Sequence, residues 1–336
     1  MSVHHVIYGL RVASDFPLPG VSVCDEPAAI DVRIWLKEKQ EFASRFSALS
    51  HVTYTSANSN VEGDSILRVG QLDDGKCVGF FYTDGVRFAV ERGGREIWGD
   101  WPEDYSLEDA CTYLMGPVIA FTLRLRGVTC LHASSVAVDG QAIALTGHCG
   151  AGKSTTAAAF ARLGYSVLAD DVTVLGDDGG QFRVQPGYPR VNLWPDSVHA
   201  LFGSEDALPH ITPTWGKRYL PLDRKEHKFQ ATPLPLSAIY ILSEHEPGLT
   251  SPIVEEFAAR DAFMKLVTNT YVNYLLDGEM RAREFDLLGR VVAGVPVRRV
   301  RPAADSFKIF ALCEAISGDA RQLMAHQSSS TSQEAD

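Results

Sequence analysis

The tightest constraint on this chain is one short run set between two regular elements. Gly147-His148-Cys149-Gly150-Ala151-Gly152-Lys153-Ser154 satisfies the pattern G-x-x-x-x-G-K-[ST]. The apolar stretch 142–146 before it has the composition of a strand buried on both faces. Behind it, Ala157-Ala158-Ala159-Phe160 predicts a helix from near Lys153 to about Leu163, with Gly164 placed to cap it. Ser166 to Leu175 then reads as the next strand. Strand, loop, helix and strand make a βαβ unit with a right-handed crossover, which sets the fold class as α/β with a mixed sheet.

The loop predicts a nucleotide-phosphate site. Small residues let successive backbone N–H groups curl around phosphate oxygens, and the helix start adds its dipole. In that arrangement Lys153 reaches the β- and γ-phosphates, the Ser154 hydroxyl ligates Mg²⁺, and Thr155 follows inside the helix.

Asp170 and Asp171 end an apolar run only 17 and 18 residues after Lys153. One helix fits in that interval, so their strand is expected beside the loop strand. A carboxylate there holds Mg²⁺ on the phosphates. Alone, such a pair reads as a solvated strand end; the loop upstream changes the balance. Neighbouring side chains on a strand face opposite ways, so the two cannot share one role unless the strand bends or ends. One would order the metal and the other would take the proton of an attacking hydroxyl. His132 lies on the preceding strand, joined to the loop strand through the Asp139-Gly140 turn. Antiparallel pairing brings it to the phosphate site, either as a partner of a carboxylate or as a structural histidine.

Around this core the chain divides into 1–104, a β-rich region; 105–326, the phosphate-loop domain; and 327–336, a polar tail expected to be disordered. Val32 to Leu36 and Val52 to Tyr54 alternate as strands. After Ile66, Asp73-Asp74-Gly75, Asp84-Gly85 and Gly93-Gly94 punctuate a meander of about four strands. Ser106 to Asp109 resembles a capping box ahead of a helix to Arg126, kinked at Pro117. The stretch 186–235 is rich in Pro and Gly and predicts loops and short strands. Phe257, Phe263, Leu266, Val267, Tyr271 and Tyr274 trace one helix face, and helices are expected near 280–293 and 305–318 with a strand from Val295 to Arg301. Arg190, Lys217 and Arg218 are the downstream cations placed to meet a phosphate, although each alone reads first as a surface charge.

Composition excludes several classes. The 336 residues carry 31 Lys and Arg against 42 Asp and Glu, a formal charge of −11, with no basic stripe for nucleic acid. No apolar run reaches the roughly 20 residues of a membrane span, and no secretory signal is visible, so the expectation is a cytoplasmic protein. Six cysteines without CxxC spacing fit reduced thiols rather than a disulfide framework or a zinc site.

The set of His132, the loop 147–154 and Asp170-Asp171 resembles the catalytic core of HPr kinase/phosphorylase over about residues 128–175. The resemblance implies a fold related to phosphoenolpyruvate carboxykinase, ATP and Mg²⁺ as cofactors, and a serine hydroxyl as acceptor. It also implies Asp170 as general base with the histidine close to it, and Asp171 as the Mg²⁺ ligand. Cys149 stands where that family tends to carry Ser, Thr155 replaces an acidic residue, and the Gly-rich signature associated with phosphorolysis is not found. Tyr8-Gly9-Leu10, Ser14-Asp15-Phe16-Pro17-Leu18-Pro19 and the run from Tyr188 to Asp196 resemble a branch that accompanies lasso-peptide biosynthesis. That branch implies a peptide partner phosphorylated on its C-terminal serine. A bifunctional HPr-type kinase/phosphorylase and a nucleotide-sensing module without turnover are the alternatives, and a homo-oligomer stays open.

Overall fold

In the computed structural model, the residues described are 2–26, 29–36, 39–46, 48–57, 66–246, 248–303 and 308–333. The chain divides into two units, one of residues 1–128, 212–215 and 272–281, the other of 129–211, 216–271 and 282–336.

The first unit holds β1 (Val3–Ile7), β2 (Leu10–Ser14), β3 (Val23–Cys24), β4 (Val32–Trp35), α1 (Lys39–Arg45), β5 (His51–Thr55), β6 (Leu67–Leu72), β7 (Cys77–Tyr82), β8 (Arg87–Glu91) and β9 (Glu96–Asp100). They form one sheet in the order β3-β1-β2-β4-β9-β8-β7-β6-β5. The meander expected after Ile66 is β6 to β9, each antiparallel to the next. Its first turn takes positive φ at Asp73, Asp74 and Gly75 (50°, 52° and 82°), which Asp tolerates and Gly favours.

Two helices follow, α2 (Leu107–Tyr113) and α3 (Ile119–Leu125). The capping box forms in full: Asp109 N–H donates to Ser106 Oγ at 3.2 Å, and Ser106 N–H donates to Asp109 Oδ2 at 2.9 Å. The kink falls at Gly116 (φ −104°, ψ −106°), beside the Pro117 ring that cannot donate to the helix ladder. Both helices belong to the first unit, so the division comes after Val128 rather than after residue 104. The reason is packing: Phe121 of α3 meets the buried Phe80 of β7 edge-on, with ring centroids 5.5 Å apart.

From residue 129 the elements are β10 (Thr129–Val138), β11 (Gln141–Thr146), α4 (Lys153–Arg162), β12 (Ser166–Ala169), β13 (Val172–Asp178), β14 (Gln181–Gln185), β15 (Arg190–Leu193), α5 (Pro195–Phe202), β16 (His210–Thr212), β17 (Trp215–Pro221), β18 (Asp223–Arg224), β19 (His227–Phe229), β20 (Leu234–Leu242), β21 (Ile253–Glu256), α6 (Ala259–Thr268), α7 (Gly278–Gly294), β22 (Val297–Arg301) and α8 (Ile309–Gln333). The main sheet runs β18-β19-β12-β10-β13-β14-β20-β22-β21, with β11 paired to both β10 and β20; β15, β17 and β16 form a small sheet of their own. Both ladder senses occur, since β11 is antiparallel to β10 and parallel to β20, which is the mixed α/β class. Alternation on β11 fills two cores. Ile143 and Leu145 pack with α4 and α8 residues such as Phe160 and Ile316. Ala142 and Ala144 pack with Leu266 of α6 and Leu288 and Val291 of α7.

Several expectations are corrected. β12 is not beside β11; β10 lies between them, because the tight Asp139-Gly140 turn folds β10 back along the edge that β12 would have taken. The strand expected from Ser166 to Leu175 is two strands, broken at Asp170 and Asp171, where Asp171 takes a φ of 69°. Within 186–235 one helix does form, α5, with Pro195 in its first turn and Gly203 at φ 82° closing it. α6 stops at Thr268, so Tyr271 and Tyr274 lie beyond it. The backbone of α8 continues to Gln333, past the Gln327 at which the polar composition ends the ordered chain; 334–336 fall outside the described residues. No helix among the described residues is long and apolar enough to cross a membrane.

Candidate functional site

The loop between β11 and α4 is shaped by its glycines. A Cβ on Gly147 would sit 2.6 Å from the carbonyl oxygen of Leu242, so only glycine lets the loop lie against the end of β20. Gly152 caps α4 in the left-handed conformation, φ 85°, which turns the first N–H groups of the helix toward the loop. Lys153 is buried and donates to the carbonyls of Gly147 and His148, both at 3.0 Å, closing the loop into a cradle. Burial lowers its pKa, against the opposing charges of Asp171, Cys149 and Asp170. Ala151 N–H donates to the His148 carbonyl at 3.1 Å. The His148 ring turns outward, 3.9 Å from Glu244, and Cys149 is exposed. Thr155 faces away from the loop, with its hydroxyl 2.8 Å from that of Ser197 in α5.

The break between β12 and β13 gives the two carboxylates different surroundings. Asp170 is 4% exposed. Its Oδ1 accepts from Ser134 Oγ at 2.7 Å and its Oδ2 from Asn192 N–H at 2.9 Å, and the Ser154 hydroxyl of the loop also donates to it. Burial raises its pKa, and the charge of Asp171 adds to that, while those three donors pull the other way. The Asp171 side chain is 43% exposed and points to other partners, with Oδ1 3.2 Å from His132 Nε2 and Oδ2 accepting from Tyr271 OH at 2.7 Å. Partial desolvation pushes the pKa up, but the His132 hydrogen bond and charge, the Tyr271 phenol and the charge of Lys217 prevail and hold it below the ordinary value.

His132 thus meets Asp171, not Asp170, the reverse of what the family resemblance implies. The cause is the backbone: a left-handed residue at the strand break rotates Asp171 toward the N-terminal half of β10, where Ala133 N–H donates to the Asp171 carbonyl at 3.2 Å.

Three residues outside the loop, the paired aspartates and His132 complete the site. Tyr271 is 100 residues from Asp171 and arrives because the chain after α6 pairs with β10: Tyr271 N–H donates to the Cys130 carbonyl and His132 N–H to the Asn269 carbonyl, both at 2.8 Å. Asn192 comes from β15. Ser134 was within reach, since it lies two residues from His132 and so on the same face of the strand.

The downstream cations separate. Lys217 lies 5.0 Å from the Trp194 ring centroid, and its charge acts on Asp171. The Arg190 guanidinium stacks on Tyr219 at 3.9 Å. Arg218 is 7% exposed and committed elsewhere, to Asp206 at 2.9 Å, to the Gly216 carbonyl at 2.6 Å and to His210 at 3.0 Å.

The donor set fits a nucleotide phosphate with Mg²⁺. Among the described residues no group of three or more His, Cys, Asp or Glu could hold a metal unaided. Mg²⁺ needs no such group, because it takes one or two carboxylates and completes its shell with phosphate oxygens and water. Ser154 and Asp170, in contact beside the loop, would be the pair to hold it, and the buried Asn192 Oδ1 is an acceptor with no hydrogen-bond partner.

No protein-family model matches the chain, and no curated protein does. Among solved structures it is similar to the Hpr(Ser) kinase/phosphatase from Coxiella burnetii, at 12% identity and a TM-score of 0.31, over 60% of this chain and 96% of that one.

Proposed function

We propose that the chain is a kinase that transfers the γ-phosphate of ATP to a serine hydroxyl, with the C-terminal serine of a lasso-type precursor peptide as acceptor. One observation carries the transfer reading: adjacent aspartates turned to different partners, Asp170 to Ser154 of the phosphate loop and Asp171 to His132 and Tyr271. The serine acceptor and the peptide rest on the sequence resemblance alone.

The division of labour follows from the surroundings. Asp170, buried against Ser154, would hold Mg²⁺ with that hydroxyl. The metal's contribution is to neutralise charge on the transferred phosphoryl group. Asp171 is accessible, and its charged form is favoured by two donors and a lysine, so it is suited to accept the acceptor's proton. His132 and Tyr271 orient the carboxylate while leaving it lone pairs for the substrate hydroxyl. Lys153 and the N–H groups at the start of α4 would bind the phosphates, and Lys217 adds positive charge nearby. The general base is therefore Asp171, exchanging the two roles that the family resemblance assigns.

The test incubates Mg-ATP with a precursor peptide ending in Ser and the same peptide ending in Ala, read by intact mass, for wild type, Asp171→Asn and Asp170→Asn. Phosphate should appear on the Ser peptide alone. Asp171→Asn should lose transfer by about 10²- to 10⁴-fold while keeping ATP affinity, and Asp170→Asn should lose the Mg²⁺ dependence of nucleotide binding. Transfer at the wild-type rate by Asp171→Asn refutes its role as base. No transfer by wild type, with ATP bound, favours the sensing module.

A further inference from the structure

A cavity of about 180 Å³ lies within the first unit, where the segment Thr212–Trp215 meets α2 and the turn after β7. Three aromatic residues, Tyr105, Tyr113 and Trp215, line it together with Asp84 and Asp109. Its walls are fixed from behind. Tyr113 stacks on the buried Tyr82 with ring centroids 3.9 Å apart, and its phenol donates to Asp84 Oδ2 at 2.5 Å. Asp109 is 5% exposed and accepts from Ser106 N–H at 2.9 Å, from Ser106 Oγ at 2.7 Å and from the Thr214 hydroxyl.

The hydroxyl protons around the cavity are committed to the protein. Tyr113 gives its proton to Asp84, Thr112 donates to the Asp109 carbonyl at 2.7 Å, and Thr214 donates to the Asp109 carboxylate. With that proton used, the 3.2 Å contact between the Thr212 and Thr214 hydroxyls is a donation from Thr212. These oxygens therefore retain only lone pairs. No residue lining the cavity is basic. Burial raises the pKa of Asp109, but the hydrogen bonds from Thr214 and Ser106 outweigh it and favour the charged form. Burial, then the charges of Asp84, Asp109 and Asp104, push the Tyr105 phenol up, so the negative charge here is felt without a countercharge.

We propose that this cavity binds an organic cation, an alkylammonium or guanidinium headgroup, and the proposal is independent of the kinase reading. The carboxylates attract the charge, the oxygens accept its N–H groups, and the ring faces take its weakly hydrated surface. A metal ion would gain nothing comparable from three aromatic walls. The volume falls below the roughly 300 Å³ at which ordinary small-molecule sites begin, so it admits a headgroup rather than a nucleotide. Trp215 is 39% exposed, which leaves the mouth open to solvent.

The test follows the Trp215 indole N–H by NMR in the full chain, its signal identified among those of the five tryptophans by its loss in Trp215→Phe. N-acetyl-arginine amide and N-acetyl-lysine amide represent a peptide side chain, and tetramethylammonium represents a free amine. N-acetyl-norleucine amide and magnesium chloride are the controls, all at equal ionic strength. At least one organic cation should shift the signal saturably, and neither control should. Tyr105→Leu and Asp84→Asn, which leave the capping box of Ser106 and Asp109 untouched, should each weaken that binding roughly three- to tenfold. Tighter binding of an amino-acid amide than of tetramethylammonium assigns the site to a peptide side chain, and the reverse order assigns it to a free amine. No saturable shift with any of the three cations, an equal shift with either control, or unchanged affinity in both variants overturns the proposal.

Discussion

Tyr271 donates its phenol proton to Asp171 at 2.7 Å, and the ring meets the His132 imidazole edge-on with centroids 5.3 Å apart. Three residues from three parts of the chain thus form one unit around the proposed base. A hydrogen bond to a charged group contributes about 1.5–3 kcal/mol. Tyr271→Phe removes that donor and keeps the ring, so kcat should fall roughly 10- to 100-fold. The KM for ATP should stay constant, because the phenol acts on the carboxylate and not on a phosphate-binding group. Steady-state kinetics decide this, and a matched loss of nucleotide affinity and kcat would assign Tyr271 to folding instead.

Gly147 and Gly150 look alike in the motif and differ in the structure. Both have positive φ, 149° and 85°, but a Cβ on Gly147 meets the Leu242 carbonyl at 2.6 Å whereas one on Gly150 meets nothing within 4 Å. Gly150→Ala bears only the left-handed penalty, about 1–2 kcal/mol. Gly147→Ala must also push the loop off β20. Calorimetric titration with ATP should show Gly147→Ala losing affinity by a larger factor than Gly150→Ala, and the reverse order refutes the packing argument.

The phosphate loop, its flanking elements and the hairpin to His132 were legible because each is local: a motif, a helix and an Asp139-Gly140 turn within forty residues of each other. The meander β6 to β9 was legible for the same reason. What periodicity could not show is lateral strand order, which put β10 between β11 and β12, and the one left-handed residue that swapped the surroundings of Asp170 and Asp171. An L-residue at φ 69° is paid for by tertiary contacts, here the pairing of β10 with β13, and leaves no trace in spacing. Tyr271 escaped similarly. Its apolar period continued that of α6, but Thr268 ended the helix and the chain joined β10 through the single bridge of Leu131 to Thr270.

Lys217 and Arg218 are neighbours with opposite expectations. Arg218 is buried and holds Asp206, His210 and the Gly216 carbonyl, so Arg218→Ala should lower stability by about 1–3 kcal/mol through the partners it abandons, with kcat changed little. Lys217→Ala should leave the melting temperature near wild type and slow transfer, since its charge reaches Asp171. Denaturant melts alongside transfer rates separate the two, and a large kcat loss in Arg218→Ala at unchanged stability would restore it to the site.

The first unit contains its own pH-dependent element. His5 is fully buried; its Nδ1 lies 3.0 Å from the Ser22 carbonyl, and its Nε2 accepts from Leu18 N–H at 3.3 Å. Only the neutral ring satisfies both contacts, since the first needs a donor and the second an acceptor. Burial lowers its pKa below 6.5, with the His4 charge adding and the Ser22 contact opposing. The folded state therefore binds this proton less readily than the unfolded chain. The stability that neutral His5 contributes is complete above pH 6.5 and declines as pH falls below it, because the unfolded state takes up the proton first. His5→Gln should lower the melting temperature at pH 8, and its gap from wild type should narrow as pH drops from 7 toward 5.5. A gap that stays constant across that range would mean His5 does not titrate between the two states.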